Sequence, residues 1–328
     1  MTEHGKNTPP DSFGAAAYGG DGWSPRTATH RDELGALWSD CGMENEWAPL
    51  ECVLLHQPGD EIAASAEDAD AVQMLGELDT GRCRAEHQAM AEIYAAEGVD
   101  VIAVEPDGMP SPNQMFCADL FAMTPEGAIV ARPASIVRAG EERWVARRLA
   151  DVGVPILKTL TGSATFEGAD LMWIDAATAM IGRGLRTNQE AIEQIADVLA
   201  EISAETHAFD MPFGTMHFMG MLRIVDKDLA IAWPRRTPHA AVDLLRDRGF
   251  DVAFVPESDE IEHSRAFNFV TLGPRRILMV GGNVATKAFY EGLGVTCVET
   301  PMDELVKAAG AIGCLTGVVK RGAVSAGS

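Results

Sequence analysis

Cysteine, histidine and acidic residues that interrupt apolar segments are the residues of this 328-residue chain best suited to chemistry. Asp119 lies inside MFCADLFAM, His217 opens HFMGMLRIV, and Cys314 lies in AAGAIGCLTGVV, where neighbouring glycines leave room around the thiol. A polar group that is buried there without a partner costs several kcal/mol, so each needs a reason to be present. A thiolate can act as a nucleophile, a histidine as an acid or a base, and a carboxylate as a partner for either.

Each candidate also has a purely structural interpretation. Glu167 and Asp170 belong to TFEGADLMW, and Glu-Gly-Ala-Asp has ordinary turn composition. A histidine at a strand end is more often structural than catalytic, and a buried cysteine usually only packs. Arg132 in VARP and Arg186 in LRTN could bind a carboxylate in bidentate fashion or form surface ion pairs. Chemistry is favoured by the joint occurrence of these residues at the ends of successive predicted strands.

The elements that must position these residues recur along the chain. Short apolar segments that end in Pro or an acidic residue begin near residues 50, 99, 154, 206, 250 and 295. Two β-like stretches and then a helix lie between one such segment and the next. A long helical stretch, Ala71–Glu97, precedes the first pair of β-like stretches. Units of this size bury their apolar faces only by packing together. The pattern predicts a five-fold pseudosymmetric α/β propeller of five ββαβ units around a central channel; an ordinary α/β sandwich is the alternative.

Composition excludes several classes of function. The chain has 26 Lys and Arg against 49 Asp and Glu, a net charge of −23 that repels nucleic acid. No segment approaches the roughly 20 apolar residues of a membrane helix, and residues 1–29 lack a secretory pattern. The six cysteines have no zinc-type spacing, so we expect reduced thiols and a cytoplasmic location. Residues 1–45 are predicted to be a partly disordered tail or surface strap, and residues 46–328 a single α/β-propeller domain.

Six short segments occur in the order found in one superfamily of enzymes. They are PNQMFCADLF, VARP, FEGADLMW, IGRGLRTNQ, MHFMGMLRIV and GCLTGVV. In this order they resemble the guanidino-group-modifying enzymes of the pentein superfamily, which includes arginine deiminases, amidinotransferases and dimethylarginine dimethylaminohydrolases. The resemblance covers about residues 50 to 322 and is nearest to the dimethylarginine dimethylaminohydrolase branch, whose C-terminal segment is similar to MDELVKAAGAIGCLT.

Two departures from the deiminases and amidinotransferases support this branch. Those enzymes generally have His-x-Asp at the catalytic histidine, where this chain has Met219 two residues after His217. They also tend to place a histidine before the catalytic cysteine, where this chain has Gly313. The resemblance therefore favours a hydrolase over an arginine deiminase and, to a lesser extent, over an amidinotransferase.

The resemblance implies a cysteine-dependent hydrolase that cleaves a C–N bond of a dimethylarginine-like or related guanidino compound. The Cys314 thiolate would attack the central guanidine carbon and form a covalent thiouronium while an amine leaves. His217 would protonate that amine and then activate the water that releases a urea-type product. Glu167 would orient His217.

The resemblance also implies a set of substrate-binding residues. Asp119 would hold the guanidinium, while Arg132 and Arg186 would hold a carboxylate at the far end of the substrate. Asn113 stands where the branch has an aspartate for the amino-acid end, and Ala118 replaces an acidic residue, so recognition of an α-amino group stays open. The full predicted substrate-binding set is Asp119, Arg132, Arg186, Asn113 and Asp170.

The expected partner is a small guanidino or amidino compound, and neither nucleic acid nor a membrane is expected. The chain has no HExxH, P-loop or GxGxxG sequence, and we expect neither a metal nor an organic cofactor. A homodimer could form. An amidinotransferase and an arginine deiminase remain alternatives. A non-catalytic binding member of the fold is a further one, although such a protein has no reason to keep Cys314, His217 and Glu167 together.

Overall fold

A computed structural model of the protein describes residues 13–322. Residues 1–12 of the predicted tail, and residues 323–328, lie outside that range. Within it the chain has a mixed α/β fold, as predicted, and 15 strands form five separate three-stranded sheets. The strands are β1 (Leu50–Leu55), β2 (Asp100–Ala103), β3 (Phe121–Thr124), β4 (Gly127–Val130), β5 (Ile156–Thr159), β6 (Leu171–Asp175), β7 (Thr178–Arg183), β8 (Glu205–Asp210), β9 (Leu222–Asp226), β10 (Leu229–Ala232), β11 (Asp251–Phe254), β12 (Val270–Gly273), β13 (Arg276–Val280), β14 (Thr296–Thr300) and β15 (Gly317–Arg321).

All five sheets have the same internal pairing. The middle strand pairs antiparallel with one neighbour and parallel with the other, as β7 does with β6 and β8. A parallel pair needs a crossover connection, and a helix supplies it in every sheet. One sheet joins the first and last strands, because β15 pairs antiparallel with β1. The helices are α1 (Thr80–Ala96), α2 (Glu142–Asp151), α3 (Gln189–Glu201), α4 (His239–Asp247), α5 (Asp259–Glu262), α6 (Val284–Gly292) and α7 (Ile312–Leu315).

The helices are amphipathic, and their apolar faces form the core against the sheets. In α3, for example, Ile192, Ile195 and Leu199 are buried at the three- to four-residue spacing of one helix face. Asn188 begins that helix by accepting a hydrogen bond from the Ala191 backbone N–H at 3.0 Å. None of the helices in the described range is long and apolar enough to cross a membrane.

Three local predictions are wrong. The helix expected over Ala71–Glu97 begins only at Thr80, because Asp79 caps it by accepting from the Arg82 N–H at 2.8 Å. Asp119 does not lie in a strand, and His217 does not open one: Asp119 lies in a 3₁₀ turn before β3, and His217 directly precedes the 3₁₀ turn before β9. Most residues around these turns are apolar and buried, so the sequence pattern is the same as that of a buried strand.

The described part of the predicted tail contacts the sheets through its backbone. The Gly42 N–H donates to the Val319 carbonyl at 2.9 Å, and the Met43 N–H donates to the Thr124 carbonyl at 3.2 Å. Two short 3₁₀ turns, Ala16–Tyr18 and Arg31–Glu33, precede these contacts. The division of the chain at residue 45 stays a prediction.

Candidate active site

Three 3₁₀ turns bring distant parts of the sequence together. The turns Cys117–Asp119, Gly168–Asp170 and Phe218–Gly220 precede β3, β6 and β9, and neighbouring turns pack against one another. A Cβ atom on Gly168 would lie 2.6 Å from the Ala118 carbonyl oxygen, and closer still to that of Phe121. The Glu-Gly-Ala-Asp sequence therefore needs glycine for a close backbone approach, not only for a turn.

His217 lies in a buried network of charged groups. Its Nε2 is 2.6 Å from Oε2 of Glu167, and its Nδ1 is 3.7 Å from Oδ1 of Asp119. Arg138 joins the two carboxylates, with Nη1 2.6 Å from Oδ2 of Asp119 and 3.3 Å from Oε2 of Glu167. All four side chains are at most 4% exposed, so these interactions are poorly screened by water.

The network sets the charge of the histidine. Burial lowers the pKa of His217, but the charge of Asp119 and the hydrogen bond and charge of Glu167 raise the pKa to about 10. Burial raises the pKa of Glu167, but His217 and then Arg138 and Arg186 hold that pKa well below its usual range. The pair is thus an imidazolium and a carboxylate at neutral pH, with Glu167 fixing the ring orientation.

Arg138 is a site residue that the sequence reasoning missed. It also pairs with Glu141 through Nη2 at 2.9 Å, and its guanidinium lies 5.8 Å from the centre of the Phe116 ring. Burial lowers the pKa of Arg138, but the three carboxylates raise it, whereas burial raises the pKa of Glu141 to about 7. The sequence signal for Arg138 was weak, because only one of its three carboxylate partners, Glu141, is near it in the chain, three residues away.

The same cluster is the place where a metal could be sought. Asp119, Glu167 and His217 have potential ligand atoms that all lie within 4.8 Å of one another. Arg138 donates to both of these carboxylates, so a protein cation already balances their negative charge. The geometry therefore fits an ion-paired network better than a metal centre.

Asp170 positions the backbone next to His217. Its Oδ1 accepts from the Phe218 N–H at 2.8 Å, and its Oδ2 accepts from the Thr187 hydroxyl at 2.6 Å. Burial raises the pKa of Asp170 to about 6. The contacts observed for Asp170 are thus structural, and the predicted contact with substrate stays a prediction.

Cys314 lies in α7 and is held by an asparagine that the sequence reasoning also missed. The Asn268 Nδ2 group donates to Sγ at 2.9 Å, and its Oδ1 accepts from the Cys314 N–H at 3.2 Å. Asn268 could have been found, because it interrupts the apolar segment AFNFVTL just as Asp119 interrupts MFCADLFAM.

Gly313 is explained by the residues that pack beside it. A Cβ atom there would lie 2.7 Å from Oδ1 of Asn268 and would clash with Nη2 of Arg223. The Arg223 guanidinium thus lies beside the residue that precedes Cys314. Burial lowers the pKa of Arg223 to about 10, although the charge of Cys314 acts to raise it, so Arg223 stays protonated at neutral pH.

Cys314 lines two cavities. The smaller, of about 30 Å³, is also lined by Asp119, Arg138, Arg186 and Asn113. The larger, of about 190 Å³, adds His217, Trp233, Arg236, Glu262, Arg265 and Asn268 to Cys314. A planar carbon centre at Sγ would therefore meet Asp119 in one cavity and His217 in the other, and these two side chains are 3.7 Å apart.

The remaining predicted binding residues make contacts within the protein. Arg132 donates from Nη1 to the Ala164 carbonyl at 2.9 Å and lines neither cavity. Arg186 donates from Nη1 to both oxygens of Glu167, at 3.0 and 3.1 Å. Asn113 donates from Nδ2 to the Val72 carbonyl at 2.8 Å. Carboxylate binding by the two arginines stays a prediction.

Comparison with known proteins places this arrangement in a family. The sequence profile of the family described as "N,N dimethylarginine dimethylhydrolase, eukaryotic" matches residues 62–276. The chain belongs to this family. The predicted resemblance to the pentein superfamily and its dimethylarginine dimethylaminohydrolase (DDAH) branch is thereby confirmed.

Solved structures share the fold at low sequence identity. A cysteine-to-serine mutant of DDAH from Pseudomonas aeruginosa, in complex with citrulline, has a TM-score of 0.69 and 20% identity over 82% of this chain and 98% of that one. An amidinotransferase of saxitoxin biosynthesis from Microseira wollei has a TM-score of 0.69 and 16% identity over 87% and 98%. The N-terminal domain of a cyanobacterial arginine dihydrolase has a TM-score of 0.70 and 18% identity over 82% and 98%.

A curated relative of this chain has no activity assigned to it. An uncharacterized protein from Aeropyrum pernix is 25% identical over 189 residues, which are 58% of this chain and 66% of that protein. The match thus spans just under two thirds of that relative.

Proposed function

We propose that this DDAH family member is a cysteine-dependent hydrolase that cleaves a C–N bond of a substituted guanidine or amidine. The observation that carries the proposal is the position of Cys314 between a cavity lined by Asp119 and a cavity lined by His217. Family membership supports the same reaction class. The Pseudomonas relative was solved with citrulline, which is a urea-type product of guanidine hydrolysis.

The first half of the reaction uses the thiolate and the imidazolium. The Cys314 sulfur forms a C–S bond to the central guanidine carbon, and the bond from that carbon to the departing nitrogen breaks. His217 gives this nitrogen a proton from Nδ1, because its Nε2 is bound to Glu167. The products of the step are a free amine and a thiouronium on Cys314.

The second half regenerates the enzyme. Water adds to the thiouronium carbon and gives a proton to His217, which is neutral after the first half. The C–S bond then breaks, the thiolate returns, and a urea-type product leaves. The balance is one guanidine and one water converted to one urea and one amine.

The surroundings of Sγ favour both halves of this reaction. Arg223 and the Asn268 N–H stabilise negative charge on the sulfur. Oδ2 of Asp119 accepts a hydrogen bond from Arg138, but its buried Oδ1 has no hydrogen-bond partner among the described residues. That oxygen is free to accept an N–H from the guanidine.

We also infer that the five sheets are the five blades of the predicted propeller. Every sheet repeats one pairing scheme, and the turns before β3, β6 and β9 carry Asp119, Asp170 and His217 toward one site. On this proposal residues 46–328 are a single catalytic domain. The homodimer and the cytoplasmic location stay predictions.

The test is amine release from a panel of guanidines by the protein and by Cys314→Ser. The panel contains arginine, monomethyl- and dimethylarginine, and guanidino acids without an α-amino group. We expect release to fall about a thousandfold or more in Cys314→Ser, while the half-buried control Cys297→Ser keeps it. Turnover that survives in Cys314→Ser would overturn the proposal.

An amidinotransferase is the second candidate, and the larger cavity favours it. A space of about 190 Å³ between Cys314 and His217 can admit a small amine in the place of water. The shared fold with an amidinotransferase is consistent with this reaction. Adding acceptor amines and measuring a new amidino product separates the two, because the hydrolase gives only the urea-type product. Ammonia release from unsubstituted arginine would instead indicate a deiminase.

A further inference from the structure

A third cavity, of about 80 Å³, is lined neither by Cys314 nor by His217. Its wall contains Arg223 and Glu46 among side chains that are otherwise mostly apolar. Within residues 13–322, the Arg223 guanidinium forms no hydrogen bond or ion pair, and its Nε and Nη2 atoms are buried without a partner. Buried donors without an acceptor are rare in proteins, so this guanidinium points to a molecule that binds in the cavity.

The two charged residues share this cavity without touching each other. No ion pair joins Glu46 to Arg223 or to any other of the described residues. Burial raises the pKa of Glu46, although the charges of Arg321 and Arg223 act to lower it. Burial also lowers the pKa of Arg223 to about 10, although the charges of Cys314 and Glu46 act to raise it. Each group therefore lacks a direct contact with an opposite charge.

The segment before β1 supplies the carboxylate of this cavity. Met43 and Glu46 both line it, and Oε1 of Glu46 accepts from the Trp173 N–H at 3.0 Å. The turn that carries Glu46 is held by Oδ1 of Asn45, which accepts from the Ala48 N–H at 2.7 Å. This part of the predicted tail thus forms one wall of the cavity.

The size and the two charges of the cavity limit its ligand. One water molecule needs about 10–15 Å³, so a cavity of about 80 Å³ has room for about five non-hydrogen atoms. A simple anion would pair with Arg223 but would meet the Glu46 carboxylate, and a simple cation would meet the guanidinium. A molecule with a carboxylate and an ammonium group satisfies both residues. Glycine, the smallest amino acid, is of this size.

We propose that the third cavity is a second ligand site, which binds the zwitterion of a small amino acid with its carboxylate on Arg223 and its ammonium group on Glu46. The Nε and Nη2 atoms of a guanidinium lie on one edge and can hold both oxygens of a carboxylate. Oε1 of Glu46 keeps its bond to the Trp173 N–H, which leaves Oε2 for the ammonium group. The site does not depend on the reaction proposed at Cys314.

Equilibrium dialysis with labelled glycine tests the site. The protein is first alkylated at Cys314 with iodoacetamide, which occupies the space beside the sulfur and leaves the third cavity open, and mass spectrometry confirms the modification. We expect saturable binding at a single site, half-saturated at about 10 mM or below, as two charged hydrogen bonds predict. Acetate and methylamine each carry one of the two charges, so they should compete about tenfold or more weakly than unlabelled glycine.

Matched variants locate the bound glycine. Arg223→Met and Glu46→Gln should each weaken binding about tenfold or more. The controls Arg236→Met, at the larger cavity, and Glu44→Gln, outside the third cavity, should keep it. Ala122→Leu fills the third cavity and retains both charges, so it should abolish binding even if Arg223→Met does not fold. Circular dichroism checks that each variant is folded.

Three results would overturn the proposal. No saturable binding would mean that the cavity holds only water. Acetate that binds as tightly as glycine would make the cavity a plain anion site. Binding that is lost only in Arg236→Met would move the glycine to the larger cavity. Dialysis of the alkylated protein involves no turnover, so each of these results is distinct from a failure of the proposed reaction.

Discussion

The two cavities beside Cys314 differ in how their charged groups are satisfied. At the smaller one, Asp119, Arg138 and Glu167 are joined by contacts of 2.6 to 3.3 Å, and Glu167 also holds His217. At the larger one, no hydrogen bond or ion pair joins the Arg236 or Arg265 side chain to another of the described residues. A buried network of ion pairs and hydrogen bonds is rigid and orients a reacting group. The two arginines that line the larger cavity have no such network, so their side chains are less constrained.

The largest expected effect comes from removing a charge from the buried network that holds His217. Glu167→Gln keeps the size of the side chain but removes the carboxylate that holds the His217 imidazolium. We expect kcat for amine release to fall about 10² to 10⁴-fold, the usual worth of a positioned acid–base group. Steady-state kinetics measure it, with the exposed Glu193→Gln as the control. An unchanged kcat in Glu167→Gln would remove His217 from the mechanism.

The next largest effect is on stability, and it compares an arginine at the smaller cavity with one at the larger cavity. Arg138→Met leaves the carboxylates of Asp119, Glu141 and Glu167 buried with one cation fewer. We expect the free energy of unfolding to fall by about 3–5 kcal/mol, as when one partner of a buried ion pair is removed. Arg236→Met, the matched change in the larger cavity, should cost about 1 kcal/mol or less, because it loses only its contact with an aromatic ring.

Urea unfolding of both variants measures this contrast. If Arg138→Met does not fold, Arg138→Lys keeps the charge and should retain part of the lost stability. Equal losses in Arg138→Met and Arg236→Met would show that the two sides are not satisfied differently.

The sequence was most informative where a polar residue interrupts an apolar segment. Asp119, His217 and Cys314 were found in this way, and the structure brings all three to the two cavities. The order of strand pairs and helices was also predictable, because amphipathic periodicity is a local property. The family followed from six short motifs in order.

The residues that the sequence reasoning missed have partners that are distant in the chain. Arg138 contacts carboxylates 19 and 29 residues away, and Asn268 contacts a sulfur 46 residues away. A single arginine in a polar segment looks like a surface residue until folding buries it. The packing of Arg223 against Gly313 is likewise a tertiary contact, so the sequence showed only that a histidine was absent.

The buried network that holds His217 should also make the free energy of unfolding depend on pH. The folded state raises the pKa of His217 from 6.5 to about 10, so it binds an extra proton between these values. Its contribution to stability is complete below pH 6.5 and is lost as the pH rises through 10. Raised pKa values of Asp170, about 6, and Glu141, about 7, give the same sign at lower pH.

Urea unfolding at several values between pH 6.5 and 10 measures that slope. His217→Gln should flatten the slope, whereas the exposed control His239→Gln and the double variant Arg265→Met and Arg236→Met should keep it. A slope that is unchanged in His217→Gln would mean that His217 does not hold its extra proton in the folded state.

The smallest expected effect concerns the backbone at Arg265, which lines the larger cavity. Arg265 has a φ of 56°, which asparagine tolerates better than arginine and which β-branched residues rarely adopt. Arg265→Asn should therefore leave the free energy of unfolding equal or raise it by about 1 kcal/mol or less, while Arg265→Val should lower it. Both variants remove the charge, so the difference between them isolates the backbone, and urea unfolding measures it. If both were destabilised equally, the side chain of Arg265, and not only its backbone, would be contributing to the fold.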